Sequence, residues 1–243
     1  MSALTIHTAE QTEEGAGAAV RRLFPVRGMM NYDPFVLWDE FTVPPSAGFP
    51  DHPHRGFEGV TYVFEGSMRH KDNLGNDSTV NAGGLQRFTA GKGIVHSEMP
   101  SSRVATRGIQ LWVNLPRRLK QSPPAYQQVA ADDIIEARIE HGSVRELAGG
   151  NAALALHTPT RYLDVKLNAN AGYSVSMPVD YRGFVYLVEG NARINDSLVT
   201  SGQAVFFDSG GEIRLRSSDD CRFMLCFGKP HNEPIYQHGP YVD

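Results

Sequence analysis

The sequence predicts an all-β protein in which two similar units are joined in one chain. Short runs alternate between apolar and polar residues, which is the pattern of half-buried strands. The 24 glycines and 15 prolines among 243 residues supply the turns that many short strands require. A segment of the first half also recurs in the second half. With 41% hydrophobic residues, the chain can form one large domain or two small ones.

The strands can be placed in order along the chain. In GVTYVFEG, at residues 59–66, Val60, Tyr62 and Phe64 alternate with the residues between them. Similar segments, separated by turn residues, are RFTAGKGIVHSE (87–98), RGIQLWVNLP (107–116), RGFVYLVEG (182–190), QAVFFDSG (203–210), EIRLRS (212–217) and RFMLCFG (222–228). A helical pattern is confined to residues 131–140, ADDIIEARIE.

An internal repeat links the two halves. YVFEG at residues 62–66 recurs as YLVEG at residues 186–190, an offset of 124 residues. In both places a turn, a step of small residues, an apolar strand and a glycine follow in the same order, which indicates duplication. We place the boundary between Leu115 and Ala130, in the proline-rich LPRRLKQSPPAY, and expect one barrel or sandwich in 1–120 and a second in 121–243.

Charge and hydropathy exclude several classes of protein. A formal charge of -4 and a pI of about 6.1 do not indicate a basic surface that binds nucleic acid. The short basic pairs at 21–22 and 117–118 are interpreted as solvated surface. No segment approaches the roughly 18 apolar residues of a membrane span, and the first 20 residues lack the pattern of a signal peptide.

Two cysteines bear on the compartment of the protein. Cys221 and Cys226 are an odd number of positions apart in an apparent strand, so they lie on opposite faces. We therefore expect buried free thiols rather than a disulfide, and a cytoplasmic protein.

Two pairs of polar side chains suggest a metal site. His52 and His54 flank a proline that favours extended backbone, so they share a face. His96 and Glu98 repeat the same spacing on a predicted strand. Three imidazoles and one carboxylate suit a first-row divalent ion with room for water or substrate. Glu58 competes with Glu98 for the acidic position, and spacing leaves this choice open.

The other histidines lack a paired partner. His70 lies in MRHKDN, which we interpret as a solvated turn. The remaining candidates are interpreted as structural or exposed: His141, His157, His231 and His238.

Several motifs resemble the pirin family of the cupin superfamily. They are DEF, GFPDHPHRGFE, NAGGLQRFTAGKGIVHSEMP, RGIQLWVNLP and EPIYQHGPYV, and they span Phe35 to Val242. The resemblance implies a bicupin, with two jelly-roll β-barrels and a metal in the first. It places the ligands at His52, His54, His96 and Glu98, and so prefers Glu98 to Glu58. It implies iron(II), with Mn, Co, Ni, Cu or Zn as alternatives.

The second repeat is expected to lack the site. Counting back from Gly190 aligns Ser176 with His52 and Pro178 with His54, and aligning Gly91 with Gly210 places Leu215 at His96. None of these three is a strong ligand. We therefore expect the second barrel to support structure or to close the pocket.

The resemblance also implies an activity. Quercetin 2,3-dioxygenase-like chemistry opens the central ring of a flavonol with O2 and releases carbon monoxide, and Glu98 is the expected general base. Phe57, Phe64 and Trp112 are candidates for the pocket wall, although core packing explains each of them. We expect a monomer that binds a small aromatic substrate and neither nucleic acid nor membrane.

Two alternatives remain open. The first is a metal-dependent regulator, which binds a transcription factor or a metabolic enzyme as its metal changes redox state. The second is a metal-dependent isomerase or epimerase, because the cupin fold alone does not give a reaction.

Overall fold

The computed structural model describes residues 5–243 and consists almost entirely of β-strands. Helical structure within this range is limited to two 3-10 helices, Arg117–Leu119 and Ala131–Asp133. The described residues contain no helix with the length and apolarity to cross a membrane. The helical expectation for residues 131–140 was wrong, because only the first three of these residues are helical and a strand, Glu136–Ile139, follows.

The contacts divide the chain into two compact units. The N-terminal unit comprises Glu10–Asp133 and His231–Asp243, and the C-terminal unit comprises the described residues up to Ala9 with Ile134–Pro230. Each of these units is made of two separate stretches of chain, unlike the contiguous ranges 1–120 and 121–243 that the sequence repeat suggested. The boundary at 120/121 stays a prediction about where the repeat divides.

The N-terminal unit pairs a seven-stranded sheet with a four-stranded one. Its strands are β2 (Glu10–Glu14), β3 (Ala18–Phe24), β4 (Phe35–Val43), β5 (Phe49–His54), β6 (Phe57–Glu65), β7 (Ser67–Asp72), β8 (Asp77–Asn81), β9 (Leu85–Thr89), β10 (Ile94–Pro100), β11 (Thr106–Asn114), β12 (Ala125–Val129), β23 (Gln237–His238) and β24 (Tyr241–Val242). The sheet orders are β12-β9-β6-β11-β4-β3-β2 and β5-β10-β7-β8, and β23 and β24 form a small hairpin.

The C-terminal unit repeats this plan. Its strands are β1 (Ile6–Thr8), β13 (Glu136–Ile139), β14 (Gly142–Ala148), β15 (Thr160–Leu167), β16 (Gly172–Met177), β17 (Arg182–Glu189), β18 (Asn191–Ile194), β19 (Ser197–Thr200), β20 (Gln203–Phe207), β21 (Gly211–Ser217) and β22 (Cys221–Gly228). The sheet orders are β1-β20-β17-β22-β15-β14-β13 and β16-β21-β18-β19. Both orders match those of the N-terminal unit position by position, as expected for two jelly-roll barrels of an all-β bicupin.

The glycine of the repeated pentapeptide has a backbone role. Gly66 follows β6 and Gly190 follows β17, and both adopt a left-handed φ, of 76° and 95°. A residue without Cβ adopts this conformation at no steric cost. The repeat therefore preserves the tight turn between two strands of each unit.

The C-terminal unit has one continuous apolar core. Its members come from both of its sheets and include Val185, Leu225, Ile213 and Val199. Cys221 and Cys226 lie on β22 as buried free thiols, which confirms the sequence expectation.

Candidate metal centre

The edge position of β5 explains its two prolines. β5 is the end strand of the four-stranded sheet and pairs with β10 alone. Proline cannot donate to a ladder, so strands tolerate it at an edge. Pro53 therefore fits between His52 and His54, whose side chains fall on one face because strand residues alternate.

The register between β5 and β10 brings three histidines together. His96 lies opposite His52, and Ile94 lies opposite His54. The ring centroid of His52 is 4.6 Å from that of His54 and 4.5 Å from that of His96. One nitrogen from each of the three rings lies within 4.8 Å of the others. Three nitrogens bound at about 2.1 Å to one ion occupy a similar space.

Hydrogen bonds indicate which nitrogen each ring offers. Nδ1 of His52 lies 2.7 Å from the carbonyl oxygen of Pro50, and Nδ1 of His54 lies 3.3 Å from that of Pro240. A carbonyl only accepts, so both Nδ1 atoms carry hydrogen and Nε2 has the lone pair. Nε2 of His96 is buried without a hydrogen-bond partner. A buried nitrogen of this kind is costly unless it binds something, so the residues fit a metal ion.

Burial favours the neutral form of His54 and His96. Burial, followed by the neighbouring His52, lowers the pKa of His54 to about 3. Burial and the adjacent histidines also hold the pKa of His96 well below its usual value. A metal ligand must be unprotonated, so the site favours the form of imidazole that binds an ion.

Glu98 lies on the same strand but outside the three-histidine set. The β5–β10 ladder shifts register between His96 and Glu98, as at a bulge that re-aims side chains. Oε1 of Glu98 accepts hydrogen bonds from Thr61 Oγ1 at 2.7 Å and from Gln86 Nε2 at 2.6 Å. Oε2 accepts none from the residues that the structure describes, so it can take an ion or a proton.

Glu58, the competing carboxylate, is engaged elsewhere. It is fully buried on β6, and its Oε1 accepts hydrogen bonds from Arg87 at 3.1 Å and from Thr89 at 2.9 Å. An arginine partner compensates its buried charge. Glu58 does not line the cavity at the histidines, whereas Glu98 does.

A cavity of about 590 Å³ opens at this site within the N-terminal unit. Its volume falls in the range of about 300–1,000 Å³ that holds drug-sized ligands. The apolar part of its wall includes Leu37, Phe41, Phe49, Met68 and Trp112. Of the aromatic candidates from the sequence, Trp112 lines the cavity, while Phe57 stacks behind it at 4.0 Å between ring centroids.

A row of polar side chains crosses the seven-stranded sheet beneath the cavity. Neighbouring strands place its members side by side in the order Arg22, Asp39, Gln110, Thr61, Gln86 and Gln128. One apolar cluster, including Phe41 and Val63, lies to one side of this row, and another, including Phe88 and Trp112, lies to the other. The polar row therefore divides the core of the N-terminal unit.

Arg22 corrects one expectation. It was expected on the solvated surface, but its side chain is 18% exposed and forms two hydrogen bonds with Asp39, of 2.9 and 2.6 Å. Burial raises the pKa of Asp39 to about 6, against the opposing effect of Arg22. Both residues line the cavity, so its wall carries an ion pair in addition to the histidines.

The C-terminal unit has apolar residues where the N-terminal unit has ligands. Matching Gly66 with Gly190 aligns β7 with β18, and the ladders then carry the alignment across the sheet. The positions of His52, His54, His96 and Glu98 correspond to Val175, Met177, Ile213 and Leu215, all within its core. Four members of the polar row, Asp39, Gln110, Thr61 and Gln86, are likewise replaced, by Leu163, Leu225, Val185 and Val205, whereas Glu146 stands at the position of Arg22.

This register corrects the alignment that counting residues gave. Ser176 and Pro178 are one position away from the true equivalents, and Leu215 corresponds to Glu98 rather than to His96. Counting residues assumes that the loops of the two units have equal lengths. A difference of one residue assigns a side chain to the opposite face of the strand. Among residues 5–243, His52, His54 and His96 form the group of potential ligands whose nitrogen atoms lie close enough together to hold one metal ion.

His70 was assigned wrongly. It lies on β7 rather than in a solvated turn, and it is fully buried. The alternation in Met68, Arg69, His70 and Lys71 contained the signal, because the charged residues point outward and His70 shares the face of buried Met68.

The C-terminal segment helps to hold His54. Pro240 accepts the hydrogen bond from His54, and the backbone N–H of Val242 donates to Arg55 at 3.1 Å. Lys120 Nζ donates to the carbonyl of Val242 at 2.8 Å and to that of Gly56 at 2.9 Å. These bonds fix the segment beside the histidines.

Replacing Gly56 with alanine is expected to loosen this segment. Gly56 has a φ of +84°, and a Cβ there would collide with the carbonyl of Val242. Gly75→Ala is the matched control, since Gly75 has a φ of +95° and no atom lies within 4 Å of its Cβ position. In both variants, alanine in left-handed backbone lowers the free energy of unfolding by roughly 1–2 kcal/mol. Thermal unfolding and metal titration should show the larger loss for Gly56→Ala, and equal losses would contradict this role.

Two jelly-roll units, the first with three histidines that could hold a metal ion, define the bicupin class of protein. Family models for pirin and for the pirin C-terminal cupin domain match residues 17–113 and 162–243. The sequence is 41% identical over 252 residues to a pirin-like protein of Arabidopsis thaliana, covering 96% of this chain and 81% of that one. It is 39% identical over 250 residues to pirin of Mus musculus, covering 98% and 86%. The chain belongs to the pirin family.

A solved structure extends the comparison. The crystal structure of quercetin 2,3-dioxygenase from Acinetobacter baumannii matches with a TM-score of 0.90 and 30% sequence identity. The match covers 98% of this chain and 90% of that chain.

Proposed function

We propose that this protein is a metal-dependent dioxygenase that opens the central ring of a flavonol such as quercetin with O2 and releases carbon monoxide. The observation that carries the proposal is the convergence of His52, His54 and His96 beside an apolar cavity of about 590 Å³. The similarity to a protein named quercetin 2,3-dioxygenase supports the same reaction.

The three imidazoles would hold the ion, with Glu98 as fourth ligand. Iron(II) is the proposed ion, and the histidine and carboxylate donors also suit Mn, Co, Ni, Cu or Zn. When bound, the ion supplies Lewis acidity that lowers the pKa of the 3-hydroxyl of the substrate.

Glu98 is positioned to accept the substrate proton. Its Oε1 is fixed by Thr61 and Gln86, so Oε2 is the atom that would bind the ion, and it could take the substrate proton on detaching from the ion. Thr61 Oγ1 lies 2.7 Å from Glu98 Oε1 and 2.6 Å from Gln110 Oε1, but it has a single hydrogen. The hydroxyl of Thr61 therefore donates to one of these two oxygens at a time, while Gln86 Nε2 donates to Glu98 Oε1.

The cavity wall completes the proposed site. Leu37, Phe41 and Trp112 give a flat aromatic ring an apolar surface and exclude water from it. The Arg22–Asp39 pair offers polar groups in the same cavity for hydroxyls of the substrate.

The test is a flavonol assay on metal-loaded protein. Anaerobic loading with Fe(II), followed by quercetin and air, is expected to bleach the flavonol absorbance and to release carbon monoxide in equal amount. Failure to bleach with Fe, Mn, Co, Ni or Cu would exclude the dioxygenase and leave the metal-dependent regulator and the metal-dependent isomerase or epimerase. The regulator predicts different protein partners in pull-downs from Fe(II)- and Fe(III)-loaded protein.

A further inference from the structure

His70 is a buried polar residue that the proposed reaction does not use. Its side chain and that of Asp72 have no exposed surface. Its ring stacks on Tyr126, with 4.2 Å between the ring centroids and 18° between the planes. A buried, stacked imidazole has little freedom to rotate, so the directions of its two nitrogens are fixed.

The hydrogen bonds of His70 determine its tautomer. Nε2 lies 3.0 Å from Oδ2 of Asp72, which only accepts as a carboxylate. Asp72 is itself held by the backbone N–H groups of Leu74 and Asn76, at 2.9 and 3.0 Å. The hydrogen of neutral His70 is therefore on Nε2, and Nδ1 has a lone pair.

That lone pair faces His96. Nδ1 of His70 lies 3.4 Å from Nδ1 of His96, and one of these two atoms must donate. Because Nδ1 of His70 is the acceptor, His96 carries its hydrogen on Nδ1. Nε2 of His96, the buried atom without a partner, is then left as the metal-binding lone pair.

We propose that His70 is a positioning residue for the metal site, which accepts the Nδ1–H of His96 and so presents His96 Nε2 to the ion. His52 and His54 rely instead on the backbone carbonyls of Pro50 and Pro240. His96 is thus the ligand whose tautomer depends on a side chain. Outer partners of this kind orient metal-bound histidines in proteins.

The C-terminal unit supports the link between the two residues. Its equivalents of His96 and His70 are Ile213 and Ile194, both buried in the apolar core. The buried histidine on β7 is therefore absent from the unit in which the ligands are apolar. The inference rests on the proposed metal site but not on the dioxygenase reaction.

The test compares two substitutions of His70 by titration with Co(II) and Zn(II). His70→Leu removes the acceptor and is expected to weaken metal affinity by about 10–100-fold. His70→Asn places a side-chain oxygen near the position of Nδ1 and is expected to restore affinity to within about threefold of the unmodified protein, since the acceptor is recovered. A role in packing alone would make the two variants similar, and affinity of His70→Leu within twofold of the unmodified protein would overturn the inference.

Nitrogen NMR of the unmodified protein gives a second measurement. With ¹⁵N-labelled histidine and Zn(II), His96 is expected to bind through Nε2 and to show a protected Nδ1–H. Binding through Nδ1 would overturn the inference even if His70→Leu does not fold. If the unmodified protein binds neither Co(II) nor Zn(II), the metal site itself fails, and this outcome is distinct from equal binding by the variants.

Discussion

Replacing His96 with alanine is expected to lower the affinity for a divalent metal by more than about 100-fold, because changes to outer partners alone cost about 10–100-fold. The substitution removes one of the three nitrogens that lie within 4.8 Å of one another. It also removes the hydrogen bond between His96 and His70 and leaves a cavity at a buried side chain, so the free energy of unfolding of the metal-free protein should fall as well. His54→Ala should reduce metal binding in the same way.

Elemental analysis after anaerobic Fe(II) loading measures this loss, and thermal unfolding shows whether the variant keeps its fold. His141→Ala is the control, because the side chain of His141 is 62% exposed in the C-terminal unit. It should bind one equivalent of metal. A folded His96→Ala protein that still binds one equivalent would show that the ligand assignment is wrong.

The sequence contained enough information to predict several of the strands and to single out the three histidines that the fold brings together. The i, i+2 spacing places His52 and His54 on one face whatever the details of the fold. Alternation and turn residues predicted β6, β11, β17 and β22 because these strands are long and strongly apolar.

What the sequence could not predict depends on which strands become neighbours. Glu58 and Glu98 are both buried carboxylates on strands near the histidines, and their positions along the chain do not separate them. Only the folded sheets show that Arg87 donates a hydrogen bond to Glu58, while Thr61 and Gln86 donate hydrogen bonds to Glu98. The polar row is hidden for the same reason, because each member lies on a different strand.

Replacing Glu98 with glutamine is expected to lower the rate of flavonol cleavage by about 10²–10⁴-fold, which is the usual contribution of a general base. The amide keeps the size of the side chain and an oxygen near the metal, so metal affinity should fall less than in His96→Ala. The variant therefore separates proton transfer from metal binding. The measurements are kcat for quercetin loss and the metal content of the same sample.

Glu58→Gln is the matched control for the loss of a buried carboxylate. Its charge is paired with Arg87 and it does not line the cavity, so kcat per bound metal should stay near that of the unmodified protein. The unpaired arginine should instead lower the free energy of unfolding by about 1–3 kcal/mol. Equal losses of kcat in the two variants would assign the effect to stability. Unchanged kcat in a metal-loaded Glu98→Gln protein would remove Glu98 as the base.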